Sequence, residues 1–226
     1  MSTITTLTLP FDEAVGAFNA LAPHLGKDST TPVIGGVHVT ADGYLVATDR
    51  YTVGRYKSDN CVLAGDEFAG ATVSADAVKW VAAMRPLKLA MGKNEAHNYR
   101  VRLTFDSSAQ SVQFELGWGD DFVTAEQSAR FNTLDHIDHR GYPNVMRLFP
   151  DGATEFALTA DAVSLKADFL ARVGVAVKWL GGNSGTARFQ FMQTDNPAKP
   201  GPVYVSVNDG TLGRFGLLIQ PNQLVR

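Results

Sequence analysis

Cysteine is nearly missing from this chain: Cys61 is the only one in 226 residues. That excludes an intramolecular disulfide framework and any multi-cysteine zinc site. A thiol catalyst stays open on residue type alone, but the run from Ser58 to Leu63 reads as an inter-strand connection, where a lone cysteine behaves as a small hydrophobe. Long apolar runs are missing too. No stretch approaches the roughly 18 to 20 apolar residues of a membrane span. Met1 to Leu9 carry neither a basic region nor an uninterrupted apolar core, so no secretory signal is read and a cytoplasmic location is expected. A basic excess is also absent. The formal net charge of −3 excludes a surface wrapped in nucleic acid on all sides, while leaving room for a local basic face.

What is present is ordinary globular material, with 45% hydrophobic and 19% charged residues, which rules out the disordered and fibrous classes. The length allows one large domain or two modest ones. Residues 3 to 9 alternate as a strand, and Pro10 ends it. From Pro10 to Leu25 apolar residues recur at three- and four-residue intervals, predicting an amphipathic helix with Asp12 and Glu13 in its first turn and Gly26 as C-cap. Val33 to Val39, Tyr44 to Thr48 and Tyr51 to Lys57 read as strands, with Asp42-Gly43 as a hairpin turn. The order then recurs. A strand at Ala71 to Val73 leads to Ser74 as N-cap, a helix from Ala75 to Met84, Pro86 as its stop, and strands at Arg100 to Phe105, Ser111 to Leu116 and Phe122 to Ala125. It returns a third time after Tyr142-Pro143. There a strand is expected near Glu155 to Thr159, and a helix from Ala162 to Leu180 that buries Val163, Phe169, Leu170, Val173 and Val177. Strands at Thr186 to Gln193, Val203 to Asn208 and Arg214 to Ile219 complete the set. Three β-α-βββ units imply that each copy buries its face against the next.

Three short stretches stand out in this frame. They are Val33-Ile-Gly-Gly-Val37 followed by Gly43-Tyr-Leu-Val-Ala-Thr-Asp49-Arg-Tyr51, then Gly141-Tyr-Pro-Asn-Val-Met-Arg-Leu-Phe-Pro150, then Leu217-Leu-Ile-Gln-Pro-Asn-Gln-Leu224. In that order they resemble motifs in the middle and last domains of the bacterial DNA polymerase III beta subunit, the sliding clamp. The resemblance implies an α+β DNA-clamp (processivity) fold, with repeated β-α-βββ units and helices on one face of antiparallel sheets. It implies no enzymatic activity and no cofactor. It divides the chain into a clamp-type domain over residues 1–140, a connector over 141–152 and a second clamp-type domain over 153–226 with room for only half the usual content. The partners it implies are double-stranded DNA held without sequence preference, a DNA polymerase and other clamp-motif proteins, a clamp loader, and further copies of the chain, with no membrane. Carried over residue by residue, its partner-peptide groove is built from Thr48, Arg50, Tyr51, Val53, Pro143, Leu148, Leu218 and Gln220. Four positions depart from the family: Gln220 stands for a methionine, Arg50-Tyr51 for a smaller glycine-containing pair, and Asn144 for an aspartate.

A sliding clamp touches phosphates through Lys and Arg and reads no bases. The candidates are Lys79, Arg85 and Lys88 on or just after the second helix, and Lys166, Arg172 and Lys178 on the third. The same residues also suit a plain solvated helix face with snorkelling stems. Two other readings stay open: a clamp-like interaction module that forms no ring, and a small hydrolase using Asp135, His136 and His139 from Asp135-His-Ile-Asp-His-Arg140. That cluster matches no zinc spacing and also reads as a polar strand end. Gly181-Gly-Asn-Ser-Gly185 lacks the Lys-Ser/Thr ending of a phosphate loop, and no Gly-x-Ser-x-Gly elbow occurs.

Overall fold

The computed structural model describes residues 4–27, 30–65, 68–87, 95–96, 98–119, 125–135, 141–150, 165–180, 185–193, 201–207 and 214–221. Strand β1 (Ile4–Pro10) runs directly into helix α1 (Phe11–Leu21), and Ala22–His24 tighten into a 3-10 turn where the sequence predicts continued α-helix. A second 3-10 turn at Pro32–Gly35 replaces the first half of the strand expected from Val33, because Pro32 favours the start of a helical turn and has no N–H for a ladder. Then come β2 (Val37–Val39), β3 (Leu45–Thr48), β4 (Thr52–Lys57), an unpredicted short β5 (Val62–Ala64), β6 (Ala71–Val73) and α2 (Ala75–Ala83). Ser74 caps α2 as expected, its hydroxyl accepting from the Ala77 amide. Strands β7 (Tyr99–Asp106), β8 (Ser111–Trp118) and β9 (Ala125–Asn132) form a meander. Of the strand expected at Phe122 to Ala125 only Ala125 is described, and it belongs to β9; the run on to Asn132 is polar and lacks β-branched residues, and its pairing with β8 is what makes it a strand. Helix α3 (Ala167–Leu180) precedes β10 (Ala187–Phe191), β11 (Val203–Val207) and β12 (Arg214–Ile219). The strand expected at Glu155 to Thr159 lies outside the described residues, as does Val163.

Pairing is antiparallel throughout, in a five-stranded sheet ordered β5-β1-β7-β8-β9 and a seven-stranded sheet ordered β10-β11-β12-β4-β3-β2-β6. The repeat units exchange their first strands. β1 of the first unit pairs with β7 of the second, and β6 of the second pairs with β2 of the first. Neither meander is therefore closed by its own unit. The third unit adds its strands to the exposed side of β4, where Leu218 lies opposite Val53.

The helices share one side of the seven-stranded sheet. α1 is the central one, buried along nearly its whole surface, and it packs against both α2 and α3. It reaches α3 through Gly16, where a Cβ would stand 3.0 Å from Leu180 Cδ2 and 3.2 Å from the Trp179 carbonyl oxygen. Its Glu13 is buried yet satisfied: Tyr56 Oη donates to it at 2.8 Å and Asn60 Nδ2 at 3.0 Å. α3 buries Phe169, Val173, Ala176 and Leu180. Leu170, expected inside, is 48% exposed, because the buried stripe advances by four from Phe169 to Val173 and leaves the neighbouring position outside.

Candidate functional site

Residues directly opposite in an antiparallel pair share a face. Thr48 opposes Val53, Val53 opposes Leu218, and Leu218 opposes Tyr204, so these four form one row across β3, β4, β12 and β11. The adjoining row, His38, Val46, Arg55 and Gly216, lies on the same side. This is the face turned away from the helices, since its neighbours along the strands (Leu45, Ala47, Tyr56, Leu217) point into the main core. Val46, Val53, Leu218 and Phe149 form a second, separate apolar cluster there, with Tyr142, Val145 and Met146 packed on it. Residues 141–150 are thus laid across the outer face of the sheet.

Two aromatic contacts pin that connector. The Tyr142 ring stacks on His38 at 4.5 Å between centroids, and its hydroxyl donates to the Val46 carbonyl at 3.4 Å. Arg55 lies 4.1 Å from the Phe149 ring centroid and 5.6 Å from that of Tyr44, room for which comes from Gly216, where a Cβ would crowd Tyr204 at 3.0 Å and Arg55 Nε at 3.4 Å. The eight groove residues expected from the sequence divide into floor and rim. Val53 and Leu218 are floor, 7% and 5% exposed beneath the connector, and Thr48 beside them is buried. Leu148 (49%) and Tyr51 (63%) stand out as large apolar rim groups, with Pro143, Arg50 and Gln220 also exposed. The Gln220 amide donates to the Tyr51 carbonyl at 3.0 Å, which ties the end of β12 to the β3–β4 turn.

That turn is built by side chains the sequence reading left without a role. Asp49 Oδ1 accepts from the amides of Tyr51 (3.1 Å) and Thr52 (2.8 Å) and from the Thr52 hydroxyl (2.9 Å). Arg50 adopts φ 76°, a left-handed conformation that favours glycine, which explains why a smaller glycine-containing pair suits this position in the resembled family. Thr52 spends its single proton on Asp49, so His24 Nδ1, 2.9 Å from the Thr52 oxygen, must be the donor. The buried Nε2 of His24 has no hydrogen-bond partner to take a second proton's N–H, and burial first, then the Arg172 charge, pull the pKa down to about 3, so His24 is the neutral Nδ1–H tautomer. The same relay occurs on the outer face. Thr72 donates to Asp135 at 2.8 Å while His38 Nδ1 lies 3.0 Å from the Thr72 oxygen, and burial lowers the His38 pKa to about 4.

These relays run opposite to a nucleophile's activation, in which the imidazole accepts the hydroxyl proton. Asp135 engages Thr72 through both oxygens, taking its amide at 2.7 Å and its hydroxyl. His136 and His139 lie outside the described residues, and among the described residues no cluster of three metal-ligating side chains occurs.

The residues expected to face DNA behave differently from one another. Lys79 is exposed and pairs with the equally exposed Asp76, at 3.0 Å. Arg85 is exposed with its guanidinium 4.9 Å from the Trp179 ring centroid, and Lys178 is exposed in the last turn of α3. Lys88 lies outside the described residues. Lys166 stands 5.7 Å from the Tyr51 ring centroid. Arg172 is largely enclosed, at 16% side-chain exposure: Nη1 donates to Asp49 Oδ2 at 2.5 Å and to Thr52 Oγ1 at 2.9 Å, while Nε and Nη2 grip Asp168 Oδ2 at 3.1 and 2.9 Å. Burial raises the Asp49 pKa, but the bonds from Arg172 and Thr52 outweigh it and hold the carboxyl below its usual value. Arg172 thus lies against the turn, beside a cleft of about 780 Å³ that Leu25, Lys27, Arg50, Tyr51 and Asp168 also line.

No protein-family model and no curated protein matches the chain in sequence. Solved structures do match in shape. The DNA polymerase III subunit beta of Borrelia burgdorferi, solved with a natural product, superposes with a TM-score of 0.58 at 13% identity, covering 97% of this chain and 64% of that one. The Pseudomonas aeruginosa DNA polymerase sliding clamp with ligand gives 0.60 at 8% identity, covering 97% and 66%. The beta subunit from the DNA polymerase of Streptococcus pyogenes gives 0.51 at 12%, covering 96% and 65%. This chain spans about two thirds of the length of each. With its two antiparallel sheets and few helices, the protein has the clamp fold of the bacterial DNA polymerase III beta subunits.

Proposed function

We propose that the chain is the subunit of a sliding clamp, a processivity factor that binds and tethers and does no chemistry of its own. Copies associate around duplex DNA, touch phosphates without reading bases, and hold a polymerase and other clamp-motif proteins in the outer-face groove, with a clamp loader as accessory partner. In this reading residues 1–140 are a clamp-type domain, 141–152 a connector and 153–226 a second, half-length one. The observation that carries it is the row Thr48, Val53 and Leu218, drawn from three strands and roofed by the connector, with Leu148 and Tyr51 as exposed apolar rim. Apolar walls with a few polar guides suit a peptide anchored by Leu or Phe. Self-association is supported by Leu170 and Phe189, exposed at 48% and 40%, and by the outer edge of β10, which has no strand partner among the described residues. Of the residues expected to face DNA, Lys79, Arg85, Lys166 and Lys178 are exposed and available to phosphates.

The test is fluorescence anisotropy with a labelled synthetic peptide carrying Leu and Phe anchors, run beside sedimentation of the protein at micromolar concentration. Leu148→Ala, at an exposed position that the fold does not need, weakens binding about tenfold, and Leu218→Ala does at least as much. Unchanged binding in both variants sinks the groove. A monomer that still binds peptide favours the second reading, an interaction module that forms no ring.

A further inference from the structure

We infer that Arg172 is a positioning residue of the partner groove, holding the β3–β4 turn from the helix side, and not a contact to DNA phosphates. The inference rests on the groove reading above. The turn from Thr48 to Val53 supplies both a rim group, Tyr51, and the start of the floor row. Its backbone follows an unfavourable path, with Arg50 in the left-handed region, so something must hold it. Local bonds to Asp49 do part of this. They depend in turn on where the Asp49 carboxylate is kept, and that is fixed by Arg172, whose one nitrogen bridges Asp49 Oδ2 and Thr52 Oγ1.

Two of the guanidinium's remaining three N–H groups, on Nε and Nη2, are committed to Asp168 one turn back on α3. Two carboxylates and a hydroxyl therefore surround a largely enclosed cation, which leaves it little positive potential to offer a phosphate. Lys166 leans on the same turn through the Tyr51 ring. The N-terminal half of α3 thus braces the groove, while Lys166 just ahead of the helix and Lys178 at its far end stay exposed.

The test uses the full chain and the same labelled peptide, with retention on duplex DNA measured in parallel. Arg172→Gln and Asp49→Asn each weaken peptide binding by about tenfold or more, and the double variant binds no worse than the weaker single one, because both act through one bond. Asp168→Asn, which cuts only the exposed half of the arginine's grip, leaves peptide affinity within about twofold of wild type. DNA retention is unchanged in all of them. Wild-type affinity in Arg172→Gln, whatever its melting temperature, overturns the inference, as do additive losses in the double variant. Loss of DNA retention with intact peptide binding returns Arg172 to the phosphates. Should Arg172→Gln fail to fold, Asp49→Asn and Arg172→Lys decide by the same criterion, the lysine keeping part of the affinity. A wild-type chain that binds no such peptide sinks the groove itself, and does so before any variant is made.

Discussion

Two histidines govern how the fold responds to acid. His24 and His38 are neutral and buried, with pKa values lowered by burial to about 3 and about 4 from an ordinary 6.5. As pH falls, the unfolded chain takes up these protons first, so folding stability is complete above about pH 6.5 and declines below it. Each histidine adds a slope of about 1.4 kcal/mol per pH unit until its folded value is reached. Asp49, held below the usual carboxylate range, adds its own loss further down, as pH falls through its folded pKa. Urea midpoints should therefore fall steadily from pH 7 to pH 4.5. His38→Phe, which keeps an aromatic ring against Tyr142 and removes the titrating group, should flatten that fall by about half. A variant with the wild-type pH slope would show that His38 does not titrate as its burial implies.

At the scale of elements, the α1–α3 crossing depends on one small residue. Gly16→Val places methyl groups against the Trp179 carbonyl and Leu180, forcing the helices apart at a cost of about 1 to 3 kcal/mol, readable in thermal unfolding. The periodicity that predicts α1, α2 and the hairpin strands is local, and these elements were legible from sequence because residues within one turn or one strand decide them. The run of β9 beyond Ala125 was not legible, because pairing with β8 makes it a strand and its own composition does not. The floor row Thr48, Val53 and Leu218 could be named only through a family resemblance, since the register of β4 against β12 joins residues that no local pattern connects. The Arg172–Asp49 pair was hidden for the same reason. A charge on a helix reads as exposed until Asp49, distant in sequence, is found beside it.

For the whole molecule, the exchange of first strands and the addition of β10–β12 to β4 mean that almost no layer is closed by neighbours in the chain. The seven-stranded sheet joins Lys57 to Arg214, and the outer cluster needs Val46, Phe149 and Leu218 at once. Loop closure on that scale must precede the contacts that reward it, so folding should be slow for the protein's size. Stopped-flow refolding is expected to show the Tyr142–His38 side of the sheet completing only together with β12, as one late phase. During synthesis the same architecture sets a timetable: β4 keeps a bare, hydrogen-bonding edge until the last described strand emerges. A ribosome paused before β12 therefore holds a chain prone to pair with its neighbours, and the protein's yield in a cell should depend on chaperones that shield that edge.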